Sequence, residues 1–83
     1  MKFMKSVIDG IVANGKHIDY TVVERRDKIT IEDTYEYDNL RILIVWFFDK
    51  DTYNQIIGNG GELDDLPYDS ETADCYCIGH VNE

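Results

Sequence analysis

Two strands and the turn between them are encoded by residues 28–48, which read KITIEDTYEYDNLRILIVWFF. In the first half, apolar residues occupy the odd positions and polar residues the even ones, the period of two that a half-buried strand requires. Asp33 interrupts this alternation, so we expect a bulge or twist near it. Asp38-Asn39 supplies two residues that tolerate positive φ, as a tight hairpin turn demands. Residues 40–48 are apolar on both faces apart from Arg41, which predicts a central strand.

One face of that central strand needs cover. Leu43, Val45 and Phe47 share a register, and contiguous exposed apolar patches are uncommon on monomers. Either the C-terminal segment or a partner must therefore lie against this face. A homodimer through it is one expectation.

The flanking segments complete the predicted architecture. Apolar residues recur at three- and four-residue spacing near the N-terminus and predict an amphipathic helix, with the stripe Phe3, Met4, Val7, Ile8, Ile11 and Val12. Asn14-Gly15 should end it in a left-handed turn. The alternation of residues 17–25 predicts a first strand. Residues 52–57 are predicted to form a short helix, because the carboxylates before them suit a helix start. Residues 75–81 are predicted to add a fourth strand.

These elements predict an α+β fold in one small domain, residues 1–83. Its N-terminal helix packs on a three- or four-stranded antiparallel sheet, with a short second helix and an acidic loop over residues 62–74. So short a chain leaves little room for a substrate cavity of several hundred Å³. No motif joins a nucleophile to a base and an oxyanion hole, so we expect a non-enzymatic protein without catalytic residues.

Charge is distributed unevenly along the chain. The 17 Asp and Glu outnumber the 8 Lys and Arg, for a net charge of −9. Six of the eight basic residues precede residue 32; residues 1–31 carry +2 and residues 32–83 carry −11. The acidic part repels nucleic-acid phosphates and anionic membranes and attracts basic protein surfaces. We therefore expect no direct nucleic-acid or membrane partner.

Tyrosines interleave with the carboxylates and suggest a binding surface, because tyrosine is enriched at protein interfaces. The hypothesis is a DNA mimic: an acidic inhibitor that binds a basic nucleic-acid-binding protein, such as a nuclease or CRISPR effector, and competes with its DNA or RNA. A solvated acidic surface that serves solubility is the simpler interpretation. The predicted partner-binding residues are Glu32, Tyr35, Glu36, Tyr37, Asp38, Asp64, Asp65, Tyr68, Asp69 and Glu71.

In size, acidity and α+β character, the chain resembles the small inhibitors that bacteriophages and mobile elements encode against host nucleic-acid enzymes, including anti-CRISPR and anti-restriction proteins. The resemblance rests on size and composition and assigns no residue. The alternative function is a small structural or assembly adaptor that binds its partner through the apolar sheet face of Leu43, Val45 and Phe47.

Cys75 and Cys77 are too close for a structural disulfide, so we expect reduced thiols and a cytoplasmic location, in a bacterial host cell if the protein is phage-encoded. With His80 they form a set that is one ligand short and too tightly spaced for zinc, so we expect no metal and no cofactor. The N-terminus lacks the apolar core of a signal peptide, and no stretch approaches the ~18 apolar residues of a membrane span.

Overall fold

The sheet is a meander of four antiparallel strands that lie side by side in chain order. A computed structural model describes residues 5–81. The elements are α1 (Lys5–Asn14), β1 (Lys16–Glu24), β2 (Lys28–Tyr37), β3 (Leu40–Asp49), α2 (Lys50–Gly58), a 3-10 turn (Leu63–Asp65) and β4 (Asp74–His80). This order confirms the predicted α+β fold with an antiparallel sheet. Neither helix within residues 5–81 is long and apolar enough to cross a membrane.

The β2–β3 hairpin forms the middle of the sheet. Asp38 and Asn39 have φ values of 53° and 63°, the conformation that a type I′ turn requires at both positions. From this turn the strands pair without a register shift until Lys28 lies opposite Asp49. The predicted hairpin is therefore confirmed over its whole length.

The two faces of the sheet are covered unequally. The "covered face" carries the odd residues of β2 and the even residues of β3. It packs against Ile8 and Ile11 of α1, Tyr53 and Ile56 of α2, and Leu66. The buried sheet residues of this core are Ile29, Ile31, Tyr35, Ile42, Ile44, Trp46, Phe48 and Cys75. Burial of these side chains supplies the main driving force for folding.

The opposite face, here called the "open face", carries Leu43, Val45 and Phe47. The described helices and the 63–73 segment all pack into the core of the covered face. β4 hydrogen-bonds beside β3 instead of crossing over it, with Tyr76 opposite Leu43. The C-terminal segment therefore extends the open face and does not cover it within residues 5–81.

The N-terminal helix buries a narrower stripe than its sequence predicts. Ile8 and Ile11 are its buried residues, whereas Val7 and Val12 are 44% and 41% exposed. Phe3 and Met4, which belong to the predicted apolar stripe, lie outside the described residues. The left-handed turn predicted at Asn14-Gly15 is wrong, because Gly15 is not among the positive-φ residues. Its amide donates to the carbonyl of Ile11 at 2.7 Å, and a Cβ there would approach the same oxygen to 2.6 Å. Close packing, not φ, requires the glycine.

The second helix is longer than predicted because its cap lies earlier in the chain. Asp49 is the N-cap, and its carboxylate accepts a hydrogen bond from the Thr52 amide at 3.2 Å. The carboxylate therefore satisfies one of the unpaired amides of the first turn. Gly60, with φ of 88°, follows the C-cap residue Asn59.

Truncation of Ile44 tests the assignment of the core. Ile44 is 0% exposed, so Ile44→Ala should lower the free energy of unfolding by about 2–5 kcal/mol through lost burial and a residual cavity. Ile78→Ala is the control, since Ile78 is 54% exposed and should change stability by only about 0.5 kcal/mol. Urea unfolding followed by circular dichroism measures both. Equal losses in the two variants would contradict the core described above.

Candidate functional site

The residues predicted to bind a partner do not form one surface. Glu32 and Glu36 belong to the open face, whereas Tyr35 is buried on the covered face and packs in its core. Asp38 lies in the β2–β3 turn and not on the strand. Tyr37, at the end of β2, is 37% exposed. Of the five predicted residues in β2 and its turn, Glu32 and Glu36 are therefore the two carboxylates on one strand face.

Basic neighbours offset the charge of these two glutamates. A guanidinium nitrogen of Arg25 lies 3.8 Å from a carboxylate oxygen of Glu32. Glu36 lies opposite Lys16 of β1 and opposite Arg41 of β3. Opposite charges on adjacent strands attract one another, so the open face presents mixed charge and not a negative field.

The remaining predicted residues lie in residues 62–74, here called the "acidic segment". Its exposed members from the prediction are Asp64, Asp65, Tyr68, Asp69 and Glu71. Three small or apolar side chains of the same segment, Leu66, Ser70 and Ala73, are buried. The segment therefore contains both buried anchors and exposed carboxylates, and five of the ten predicted residues lie within it.

Hydrogen bonds fix the backbone of the acidic segment. The Asp65 carboxylate accepts from the Glu62 amide at 2.9 Å, and the Asp69 carboxylate accepts from the Glu71 amide at 3.0 Å. The hydroxyl of Ser70 donates to the Asp9 carboxylate of α1 at 2.7 Å. Hydrogen bonds therefore hold the acidic segment both internally and against the N-terminal helix.

A cavity of about 560 Å³ lies on the covered face, although so short a chain is expected to leave little room for one. The cavity exists because α1 and the acidic segment each cover only part of this face. Its volume falls within the range of small-molecule sites. We call it the aromatic cavity, because its lining includes His17, Tyr20, Tyr35, Trp46 and Tyr68 together with Asp33 and Asp64.

A β-bulge directs two side chains of β1 into this cavity. His17 lies opposite Tyr35, but Asp19 lies opposite Thr34, so Ile18 is the inserted residue. On a regular strand, residues three apart point to opposite faces. The insertion allows His17 and Tyr20 both to line the aromatic cavity. The bulge expected near Asp33 is not in β2, which pairs with β3 without a register shift; the inserted residue belongs to β1.

Asp33 is the buried polar centre of the cavity, with 9% of its surface exposed. One carboxylate oxygen accepts a hydrogen bond from the Trp46 indole at 3.0 Å, and the other lies 2.9 Å from Nε2 of His17. Burial of a carboxylate is costly unless donors compensate it. This pairing explains why an aspartate occupies an apolar position of β2.

The two carboxylates also influence the tyrosines of the cavity. Burial, with contributions from the charges of Asp33 and Asp64, raises the pKa of Tyr68 to about 12. The same causes, burial first, raise the pKa of Tyr35. Tyr68 meets the rings of Trp46 and Phe48 edge to face, with centroids 5.1 Å apart in each pair. The cavity therefore combines aromatic surface with negative potential.

The lining combines aromatic side chains with titratable ones. Nε2 of His17 and a carboxylate oxygen of Asp33 lie within hydrogen-bond distance of each other, and no Ser, Thr or Cys is among the described residues that line the cavity. Such a lining can bind a ligand through aromatic contacts and through a few polar groups.

The cysteines lie away from this arrangement on β4. Cys75 is 1% exposed, and burial raises the pKa of its thiol to about 11, whereas Cys77 is exposed. Within residues 5–81, no group of three or more His, Cys, Asp or Glu side chains is placed to hold a metal ion. A buried protonated thiol is a poor nucleophile and a poor metal ligand.

Alkaline pH should weaken the fold through Tyr68. Its folded pKa of about 12 exceeds the ordinary value of 10.0, so the folded state holds the phenol proton more tightly than the unfolded state. The resulting stability is complete below pH 10 and is lost as the pH rises through 12. Urea unfolding across this window should show a smaller loss for Tyr68→Phe than for the wild type. Equal losses would contradict the raised pKa.

Comparison of the chain with protein-family models, with curated proteins and with solved structures gave no match.

Proposed function

We propose that the protein is a non-enzymatic acidic inhibitor that binds a basic nucleic-acid-binding protein and competes with its DNA or RNA. One observation supports this function above all: the acidic segment is an ordered stretch of exposed carboxylates without a single Lys or Arg in residues 62–74. A nuclease or CRISPR effector, whose substrate groove is rich in basic side chains, is the expected partner.

Preorganisation of the acidic segment favours such binding. Buried Leu66, Ser70 and Ala73 hold the backbone before a partner arrives, so association need not pay to order the loop. The carboxylates of Asp64, Asp65 and Asp69 then act as a fixed set of negative charges. Basic grooves of nucleic-acid-binding proteins attract phosphates through the same electrostatic interaction. The acidic segment can therefore compete with the nucleic acid for such a groove.

Tyrosines beside the acidic segment provide contact area. Tyr68 is 37% exposed while its ring is held against Trp46 and Phe48. A rigid, half-exposed tyrosine loses little conformational entropy when it is buried at an interface. Among the ten predicted residues, those of the acidic segment therefore carry most of the proposed binding. Glu32 and Glu36 contribute less because basic residues adjoin them.

The partner can be identified by capture from a nuclease-treated bacterial lysate. Tagged protein is washed at low and then at high salt, and released proteins are identified by mass spectrometry. The proposal expects a nucleic-acid-binding protein that high salt or added duplex DNA displaces. Recovery of proteins that neither salt nor DNA displaces would contradict it.

Neutralising the acidic segment should weaken binding to the captured protein. The triple variant Asp64→Asn, Asp65→Asn, Asp69→Asn removes three charges but keeps acceptor oxygens for the local hydrogen bonds. We expect an affinity loss of about tenfold or more and a flatter salt dependence, measured by calorimetry over a salt series.

The matched control removes three charges elsewhere. Asp19→Asn, Glu24→Gln, Asp27→Asn alters exposed residues of β1 and its turn, so it gives the same net charge as the acidic-segment variant. It should retain most of the affinity. If both triple variants lose affinity equally, net charge and not the acidic segment governs binding.

An adaptor that binds through the open face is the second proposal, supported by the half-buried Leu43 and Phe47 beside the exposed Tyr76 on the adjacent strand. Val45, predicted to belong to the same binding face, is buried and contributes little to it. It predicts that Phe47→Ala abolishes partner binding or self-association, with little dependence on salt, while the circular-dichroism spectrum is unchanged. Sedimentation analysis distinguishes the homodimer from a hetero-complex. Full retention of binding in Phe47→Ala would exclude this alternative.

A further inference from the structure

The aromatic cavity has the chemistry of a site for a positively charged organic group. Tyr20, Tyr35, Trp46 and Tyr68 are among the residues that line it, together with Asp33 and Asp64. No Lys or Arg is among the described residues that line it. Aromatic faces attract cations through their quadrupole, more strongly when water is excluded.

The two carboxylates have different roles. Both oxygens of Asp33 already have partners, the Trp46 indole and Nε2 of His17. Asp64 is exposed at the 3-10 turn and forms no salt bridge with another residue of 5–81. Asp64 is therefore the carboxylate with oxygens available to a ligand.

We infer that the aromatic cavity binds a guanidinium group, which stacks on its aromatic rings and donates paired hydrogen bonds to Asp64. A guanidinium fits better than an ammonium because it is planar, weakly hydrated and able to bond a carboxylate with two donors at once. The raised pKa of both Tyr35 and Tyr68, to which Asp33 and Asp64 contribute, is consistent with negative potential at this position. This inference does not depend on the acidic segment acting as an inhibitor.

The chain contains one tryptophan, so its indole N–H gives a single signal, from a residue that lines the cavity. Titration with Nα-acetyl-arginine methylamide, followed by ¹H–¹⁵N NMR, should shift this signal saturably. The citrulline analogue has nearly the same shape without the charge, and the lysine analogue has the charge without the planar group. Both should bind at least about fivefold more weakly.

Asp64→Asn should lower the affinity for the arginine probe about fivefold or more and leave the affinity for the citrulline analogue unchanged. The matched control is Asp27→Asn, an exposed residue of the β1–β2 turn that does not line the cavity. It removes one charge and should leave the affinity unchanged. Three results would overturn the inference. The indole N–H signal could fail to shift at millimolar arginine probe, the citrulline or lysine analogue could bind as tightly as the arginine probe, or Asp64→Asn could leave the affinity for the arginine probe unchanged.

Two sources can supply the guanidinium, and the experiment separates them. An arginine side chain of a protein predicts that the peptide Gly-Gly-Arg-Gly-Gly binds at least as tightly as the single-residue probe. A free small guanidino compound predicts that agmatine binds and that the peptide does not. Either result supports the guanidinium site and names the class of molecule that occupies it.

Discussion

A single buried carboxylate connects three neighbouring strands. Asp33 of β2 accepts a hydrogen bond from Trp46 of β3 and lies within hydrogen-bond distance of His17 of β1. Burial of this charge is tolerable only while both partners are in place, because an unpaired buried charge is strongly destabilising. The arrangement therefore constrains the register of β1 and the orientation of the indole together. It also gives the aromatic cavity its polar interior, so one constraint governs both the centre of the sheet and the character of the site.

The one-sided packing of the fold follows from the order of its elements. Both helices and the acidic segment lie on the covered face, and the strands follow one another without a crossover. The acidic segment must then span that face between α2 and β4, and its buried anchors Leu66 and Ala73 complete the core. The segment with the strongest charge is thus also a structural element of the fold. This dual role is the physical basis for treating it as a preorganised surface.

Much of the fold could be predicted from the sequence, because the deciding signals are local. The alternation of residues 28–37 and the positive-φ pair Asp38-Asn39 specify the hairpin without reference to the rest of the chain. The aromatic cavity could not be predicted in the same way. It depends on how far α1 and the acidic segment extend over the sheet, and on the inserted Ile18, neither of which leaves a periodic signal. The single available clue was Asp33, a carboxylate at an apolar position.

The insertion at Ile18 has a second consequence, for the border of the sheet. Within residues 5–81, strands β1 and β4 each have a paired strand on one side only, and such edges invite pairing with other chains. A bulge twists the strand and interrupts a flat edge. β1 carries its bulge at Ile18 beside the charged Lys16 and Asp19, and β4, only seven residues long, carries one at Ile78. The same irregularity that turns His17 toward the cavity therefore also opposes edge-to-edge aggregation.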